Sequence, residues 1–167
     1  YFKKKNESGY EKWLQHEMAF WLQTHNGHEV NIEWSIDIDK RRSIRDRLLV
    51  DLCVNMKSQS NDFLHAIELK VTNQKTAALR QSILDLLRFK IAREKNWKFR
   101  SVTSIAFANN DDNGKYSNFW SKLKSESKSN WIFADYKIKN TGVSMYVLSW
   151  RVPPRNVDKL NFEGFTE

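Results

Sequence analysis

Two apolar segments on either side of a short polar turn limit the fold of this chain more than any other feature of its sequence. "LLVDLCVNM" and "FLHAIELKV" flank "KSQSND", whose Ser, Asn and Asp favour a turn, so the segments predict a β-hairpin. Asp51 lies in the first strand and Glu68 in the second. Lys70 follows Glu68 by two residues, a spacing that puts both side chains on one face of a strand.

The register of this hairpin decides how the two acids meet. If the loop is centred between Gln59 and Ser60, paired residues have numbers that sum to 119, and Asp51 lies opposite Glu68. Opposed Cβ atoms are about 5 Å apart, where two carboxylates repel each other unless a positive group such as a divalent cation lies between them. A register shifted by one residue would offset the pair.

The remaining segments predict a mixed α/β (α+β) domain with the element order α-β-β-β-α-β-α-β-β. A helical pattern covers residues 10–24 and stops at Asn26 and Gly27, and "HEVNIEWSID" alternates as a strand. Next come the helix "TAALRQSILDLLRFKIARE", the strand "RSVTSIAFA", the short helix "YSNFWSKLKS", and a hairpin of "WIFADYKI" and "VSMYVLSW" around "KNTG". We expect one layered domain over residues 10–152, with a basic, flexible start at 1–9 and a tail at 153–167.

The charge of the chain favours a polyanionic partner. Its 28 Lys and Arg residues against 20 Asp and Glu give a net charge of +8, and the basic clusters are interleaved with Trp and Phe. Solubilising charge explains any single cluster better, but the sum favours nucleic acid over a membrane surface. The candidate nucleic-acid-binding residues are Lys40, Arg41, Arg42, Arg45, Arg47, Lys75 and Arg80.

Several other classes of protein do not fit the sequence. No apolar run approaches the ~20 residues of a membrane-spanning helix, so we expect a soluble protein that does not act in a membrane. A single cysteine, Cys53, excludes an intramolecular disulfide. His25 and His28 have a spacing that suits a metal pair, but two solvated histidines in a turn are the commoner meaning and no Cys pair accompanies them. No glycine-rich phosphate loop or nucleophile elbow is present.

The first helix carries a third candidate acid. We predict that one apolar stripe faces the core, made of Tyr10, Trp13, Leu14, Phe20 and Trp21. Glu17 lies inside that stripe, whereas Glu11 lies at its edge. A buried carboxylate needs a cation, a donor or a metal, so a salt bridge to a basic residue and a metal site are equally compatible with Glu17.

These residues together resemble the PD-(D/E)XK nuclease superfamily, whose restriction-endonuclease-like core is an α-β-β-β-α-β unit. The resemblance covers residues 10–107 and rests on an acid-bearing helix followed by "LLVDLCV", "HAIELKV" and a second helix. Val50 stands where the motif has Pro. Glu126 and Lys128 repeat the Glu-x-Lys spacing, but only Glu68 and Lys70 end an apolar strand that pairs with an Asp-bearing strand.

The resemblance implies a catalytic site. Asp51 and Glu68 would ligate Mg²⁺, which Mn²⁺ can replace, together with the backbone carbonyl of Leu69. Lys70 would orient the attacking water or stabilise the transition state. Two more catalytic candidates are Glu17, which would complete the metal shell, and Gln81, near the start of the second helix. For Gln81, a solvated helix face with an Asp85–Arg88 pair is the somewhat commoner meaning.

We therefore expect a metal-dependent endonuclease that hydrolyses phosphodiester bonds, with DNA favoured over RNA. A non-catalytic module that binds nucleic acid or protein on the same fold is the alternative. A toxin domain cut from a larger protein, delivered into a target cell and held by an inhibitory immunity protein, is one interpretation of its role. A small restriction or phage enzyme that acts in the cytoplasm as a homodimer is another.

Overall fold

The structure is a computed structural model that describes residues 7–37, 47–55, 64–72, 99–109, 121 and 131–151. These residues form one helix and six strands: α1 (Glu7–Asn26), β1 (Glu29–Asp37), β2 (Arg47–Asn55), β3 (Leu64–Thr72), β4 (Phe99–Asn109), β5 (Trp131–Ile138) and β6 (Val143–Arg151). All six are strands that the sequence predicts. The predicted helices over residues 76–94 and 116–125 lie outside the described residues, except for residue 121, which is helical.

The strands form one mixed sheet in the order β1-β2-β3-β4-β6-β5. The pair β3 and β4 is parallel, and the other neighbouring pairs are antiparallel. Parallel neighbours require a long crossover, and residues 73–98 supply it. The mixed α+β class predicted from the sequence is therefore confirmed.

Both predicted hairpins are present. In the β2–β3 hairpin the pairs run from Leu52↔Ile67 to Asn55↔Leu64, so the predicted sum of 119 is confirmed for these residues. The β5–β6 hairpin turns at residues 139–142, as "KNTG" predicts. Asn140 (φ 62°) and Gly142 (φ 64°) there adopt the left-handed conformation that Asn and Gly tolerate best.

Helix α1 ends at the predicted stop, but it begins at Glu7, three residues before the predicted start. Gly27 has φ 65°, and its N–H donates to the carbonyl of Gln23 at 3.2 Å. The next N–H, of His28, donates to the carbonyl of Leu22 at 3.2 Å. These bonds satisfy two carbonyls of the last turn and direct the chain into β1.

The face of α1 that packs on the sheet differs from the predicted one. Ala19 is buried against Val30, Leu52, Val54 and Leu69, and this cluster also contacts Leu14, Met18, Leu22, Ile32, Ile67 and Ile105. Of the predicted stripe, only Leu14 belongs to this face. The prediction for the four aromatic residues is wrong: Tyr10 is 43% exposed, Trp13 59%, Phe20 62% and Trp21 53%.

The central strands are buried on both faces. On β2, Leu52, Cys53 and Val54 are all buried although successive side chains point to opposite sides. On the face opposite α1, the buried residues are mostly small: Cys53, Ala66, Ser104, Ala106, Ala108 and Ser144. Burial raises the pKa of the Cys53 thiol to about 12, so this thiol is protonated and unreactive at neutral pH.

We predict that Leu52→Ala lowers the free energy of unfolding by about 2–5 kcal/mol, because it opens a cavity under α1. Leu49 provides a matched control on the same strand, since its side chain is 54% exposed and the same substitution there removes little buried area. Urea denaturation followed by circular dichroism measures both. Equal losses for the two variants would contradict the assigned packing of β2.

Candidate functional site

The candidate site lies where β2 and β3 stop pairing. Their described pairs end at Leu52↔Ile67, although β2 extends back to Arg47 and β3 continues to Thr72. The earlier half of β2 stays paired with β1, down to Asp37↔Arg47. The later half of β3 stays paired with β4, up to Thr72↔Ala108. The sheet therefore opens between β2 and β3, and we call this gap the β2–β3 opening.

Asp51 lies on β2 at the start of the opening and bonds both to β3 and to α1. Its Oδ2 accepts a hydrogen bond from the backbone N–H of Leu69 at 2.6 Å. Its Oδ1 accepts one from Nε2 of Gln15 on α1 at 2.5 Å. The carboxylate thus replaces the backbone acceptor that a paired β2 would have offered to Leu69.

Glu11, one turn before Gln15, performs the same task further along β3. Its Oε2 accepts a hydrogen bond from the N–H of Val71 at 3.3 Å. Its other oxygen, Oε1, lies 3.9 Å from Nζ of Lys70. Side chains at i and i+4 share one helix face, so Glu11 and Gln15 enter the opening together.

Lys70 connects two carboxylates. Its Nζ lies 3.9 Å from Oε1 of Glu11 and 3.9 Å from Oε2 of Glu68. The side chain of Glu68 is only 5% exposed, whereas those of Glu11 and Lys70 are partly exposed. A buried carboxylate beside a partly exposed ammonium interacts more strongly than a surface pair, because water screens it less.

The backbone of β1 is distorted beside Asp51. Pairing with β2 runs through Ile32↔Leu52 and Trp34↔Val50, but Glu33 and Asp51 between them are not a recorded pair. Glu33 has φ 52°, an uncommon conformation for a residue other than Gly. Its carboxylate lies 3.3 Å from Nζ of Lys12 on α1, in an exposed pair. Pairing is therefore interrupted at Asp51 on both sides of β2.

The side-chain atoms around the opening that could ligate a metal ion are oxygens. Asp51 and Glu68 offer carboxylates, the Leu69 N–H bond places that residue's backbone beside Asp51, and Oε1 of Gln15 is buried. Gln15 is 5% exposed, and this oxygen has no hydrogen-bond partner among the described residues. Mg²⁺ prefers such hard oxygen ligands, so the donor chemistry fits this ion. Within the described ranges, however, no three His, Cys, Asp or Glu side chains are grouped closely enough to hold a metal ion.

The structure brings together four residues predicted from the sequence, Asp51, Glu68, Leu69 and Lys70, and does not bring Glu17 to them. Glu17 is exposed, so the prediction that it faces the core is wrong. Glu17 lies two residues after Gln15, which is about 200° around the helix. Because Gln15 faces the sheet, Glu17 points away from it. Arg47 opens β2, and the other predicted residues lie outside the described ranges: Lys40, Arg41, Arg42, Arg45, Lys75, Arg80 and Gln81.

Sequence reasoning missed Glu11 and Gln15. The signal for them is the spacing of Glu11, Leu14, Gln15, Met18, Ala19 and Leu22, which follows the i, i+3, i+4, i+7 pattern of one helix face. That face is less hydrophobic than the aromatic one because two of its six members are polar and one is Ala. A search for the most apolar stripe therefore selects the wrong face.

A second polar cluster lies at the other end of β3. Nδ1 of His65 is 2.7 Å from Oγ of Ser101 on β4, and Nε2 is buried with no hydrogen-bond partner in the described part of the chain. Burial, then the charges of Arg100 and His28, lower the pKa of His65. His25, in contrast, stacks on Trp21 with ring centroids 5.2 Å apart. Of the two histidines of "HNGH", His28 therefore lies near His65, whereas His25 lies against Trp21.

Comparisons with known proteins add no relative. No protein-family model, curated protein sequence or solved structure matches the chain significantly. Among the described residues, no helix combines the length and the apolar character needed to cross a membrane.

We predict that His65 makes the stability of the fold depend on pH. Because its pKa is lowered on folding, the unfolded chain binds more protons below about pH 6.5, and stability falls as the pH is lowered from about 7 to about 5. His65→Gln removes this contribution and keeps a polar side chain beside Ser101. Melting temperatures measured across that range should fall less for the variant than for the parent; parallel curves would contradict the prediction.

Proposed function

We propose that the chain is a metal-dependent nuclease that hydrolyses phosphodiester bonds, with DNA favoured over RNA, and that the β2–β3 opening is its active site. The observation that carries the proposal is that Lys70 lies between Glu11 and Glu68 while Asp51 bonds to the backbone of the neighbouring Leu69, in a chain of net charge +8. A basic chain attracts a polyanion, and a concentrated group of acids in it has a use if a cation joins them.

The described elements support a restriction-endonuclease-like core. A helix, three consecutive antiparallel strands and a fourth strand parallel to the third follow in that order, with residues 73–98 as the crossover. This agrees with the α-β-β-β-α-β unit of the PD-(D/E)XK superfamily for every element that lies in the described ranges. The Asp and the Glu-x-Lys lie on its second and third strands, as the motif requires.

Asp51, Glu68 and the carbonyl of Leu69 would hold Mg²⁺ or Mn²⁺, with Oε1 of Gln15 nearby. The bound ion would lower the pKa of a coordinated water and offset negative charge on the phosphate. Gln15 and the Leu69 N–H fix both oxygens of Asp51, so this ligand is ordered before substrate binds. Such ordering lowers the cost of reaching the reactive geometry.

Lys70 acts on the phosphate rather than on the ion. Its ammonium is held between Glu11 and Glu68 and keeps partial exposure, so it can orient the attacking water or donate to the phosphate oxygens as charge develops. Glu11 is a positioning residue in this scheme, because it acts through Lys70 and through the N–H of Val71. Glu11, and not the exposed Glu17, is thus the acid of α1 that reaches the β2–β3 opening.

One observation favours the alternative, a non-catalytic module that binds nucleic acid or protein. Both oxygens of Asp51 already accept hydrogen bonds, and Lys70 already balances two acids. A purely structural cluster explains these contacts without a metal. The two functions differ in what happens when Lys70 is removed.

We predict that the purified protein cleaves plasmid DNA in Mg²⁺ and not in EDTA, and that Lys70→Ala slows cleavage by about a hundredfold or more, the scale for losing one electrostatic contact to a transition state. Metal affinity measured by calorimetry should persist in this variant, and Lys70→Arg should rescue little because a planar guanidinium cannot replace the ammonium. RNA tested in parallel decides the substrate. Full activity in Lys70→Ala, or cleavage in EDTA, would refute the proposal.

We predict that Glu11→Gln lowers kcat by about ten- to a hundredfold, the usual effect of losing a group that orients an active-site residue. The amide oxygen of Gln still accepts from the Val71 N–H, so KM and melting temperature should stay close to those of the parent. Glu29→Gln, an exposed change of the same charge on β1, is the control and should leave kcat unchanged. A loss of kcat in Glu17→Gln with full activity in Glu11→Gln would contradict the placement of Glu11.

A further inference from the structure

Ser104 is a polar residue buried in the middle of β4. It is only 1% exposed, and its hydroxyl has no hydrogen-bond partner among the described residues. A buried hydroxyl without a partner costs free energy, and native proteins contain few such groups. Local choices that oppose stability are concentrated at functional sites, so Ser104 calls for a functional explanation.

The nearest neighbours of Ser104 in the described sheet include one carboxylate. Val102 and Ala106, two positions away on β4, share its face of the sheet, and Leu148 pairs with it on β6. On β3 the residue in register with Ser104 is Glu68. Adjacent strands are about 4.8 Å apart, so the Ser104 hydroxyl lies within reach of the Glu68 carboxylate.

Glu68 lies between this hydroxyl and the β2–β3 opening. Because β3 is the strand between β2 and β4, Asp51 and Ser104 are on opposite sides of Glu68. In the structure Oε2 of Glu68 is 3.9 Å from Nζ of Lys70, which lies further along the same strand. A carboxylate has two oxygens, so one can ligate a cation on the side of Asp51 while the other accepts a hydrogen bond on the side of β4.

We propose that Ser104 is a positioning residue for Glu68, and that its hydroxyl donates a hydrogen bond to the Glu68 carboxylate when a divalent cation occupies the β2–β3 opening. This inference rests on the proposed metal-dependent function and adds a residue outside the Asp and Glu-x-Lys motif. Carboxylates that ligate metal ions are themselves held by hydrogen bonds, and losing such a bond typically lowers metal affinity or activity ten- to a hundredfold. Since Glu68 is only 4% exposed, a donor built into the protein takes the role that water has at an exposed carboxylate.

This role predicts effects of opposite sign on stability and on metal binding. In metal-free protein, Ser104→Ala removes an unpartnered hydroxyl from apolar surroundings, so the melting temperature should stay the same or rise. The same change should weaken Mg²⁺ binding, measured by calorimetry, by about ten- to a hundredfold. It should also remove most of the rise in melting temperature that Mg²⁺ produces in the parent.

Ser144→Ala is the matched control. Ser144 is 3% exposed, lies on the same face of the sheet on β6, and makes contacts of its own. Loss of its hydroxyl should not raise the melting temperature and should leave Mg²⁺ affinity unchanged. Excess Mg²⁺ should restore most of the cleavage by Ser104→Ala but not by Lys70→Ala, because Ser104 acts through the ion and Lys70 acts on the phosphate.

The outcomes separate this inference from the nuclease proposal. A parent protein that neither binds Mg²⁺ nor cleaves DNA would overturn both. A parent that binds and cleaves, with Ser104→Ala binding Mg²⁺ equally tightly, would overturn the role of Ser104 alone. A metal-free Ser104→Ala that melts at a lower temperature or fails to fold, as followed by circular dichroism, would show that the hydroxyl serves the fold and would also overturn that role.

Discussion

The hydrogen bond from the Leu69 N–H to Asp51 is the contact on which the candidate site depends. It lies where β2 leaves β3, and a buried backbone donor without an acceptor costs about 1–3 kcal/mol. Glu11 accepts from Val71 in the same way. An opened sheet therefore needs carboxylates at this place for its own stability, and the same carboxylates are suited to hold a cation. Structural and chemical demands select the same residues.

The sequence predicted the strands well because their signals are local. Alternation, turn residues and a loop length were enough to place Asp51 on β2 and Glu68 and Lys70 on β3, with the correct register for residues 52–55 and 64–67. The predicted pair of Asp51 with Glu68 is not among the described pairs. The end of pairing beyond Leu52 has no such signal, because it coincides with hydrogen bonds to Gln15 and Glu11 of α1, which are distant in the sequence. The packed face of α1 was missed because its helical pattern includes the polar Glu11 and Gln15, whose inward placement depends on hydrogen bonds to β3 and β2.

Helix α1 links the packing of the sheet to the candidate site. Its aliphatic residues, such as Ala19 and Leu22, fix it to the sheet, and Glu11 and Gln15 extend from the same face into the β2–β3 opening. Trp13 and Trp21 lie on the other side. A shift of α1 on the sheet would thus move Asp51 and Lys70, because Asp51 is hydrogen-bonded to Gln15 and Lys70 is ion-paired with Glu11.

The distortion at Glu33 has a consequence for solubility. β1 is an edge strand of the described sheet, and an exposed edge offers unpaired backbone groups on which other chains can add as further strands. Glu33, with positive φ and an exposed charge paired to Lys12, interrupts the regular extended backbone half-way along this edge. A foreign strand therefore cannot form an unbroken ladder along β1, and such an interruption is one way in which proteins limit edge-to-edge association.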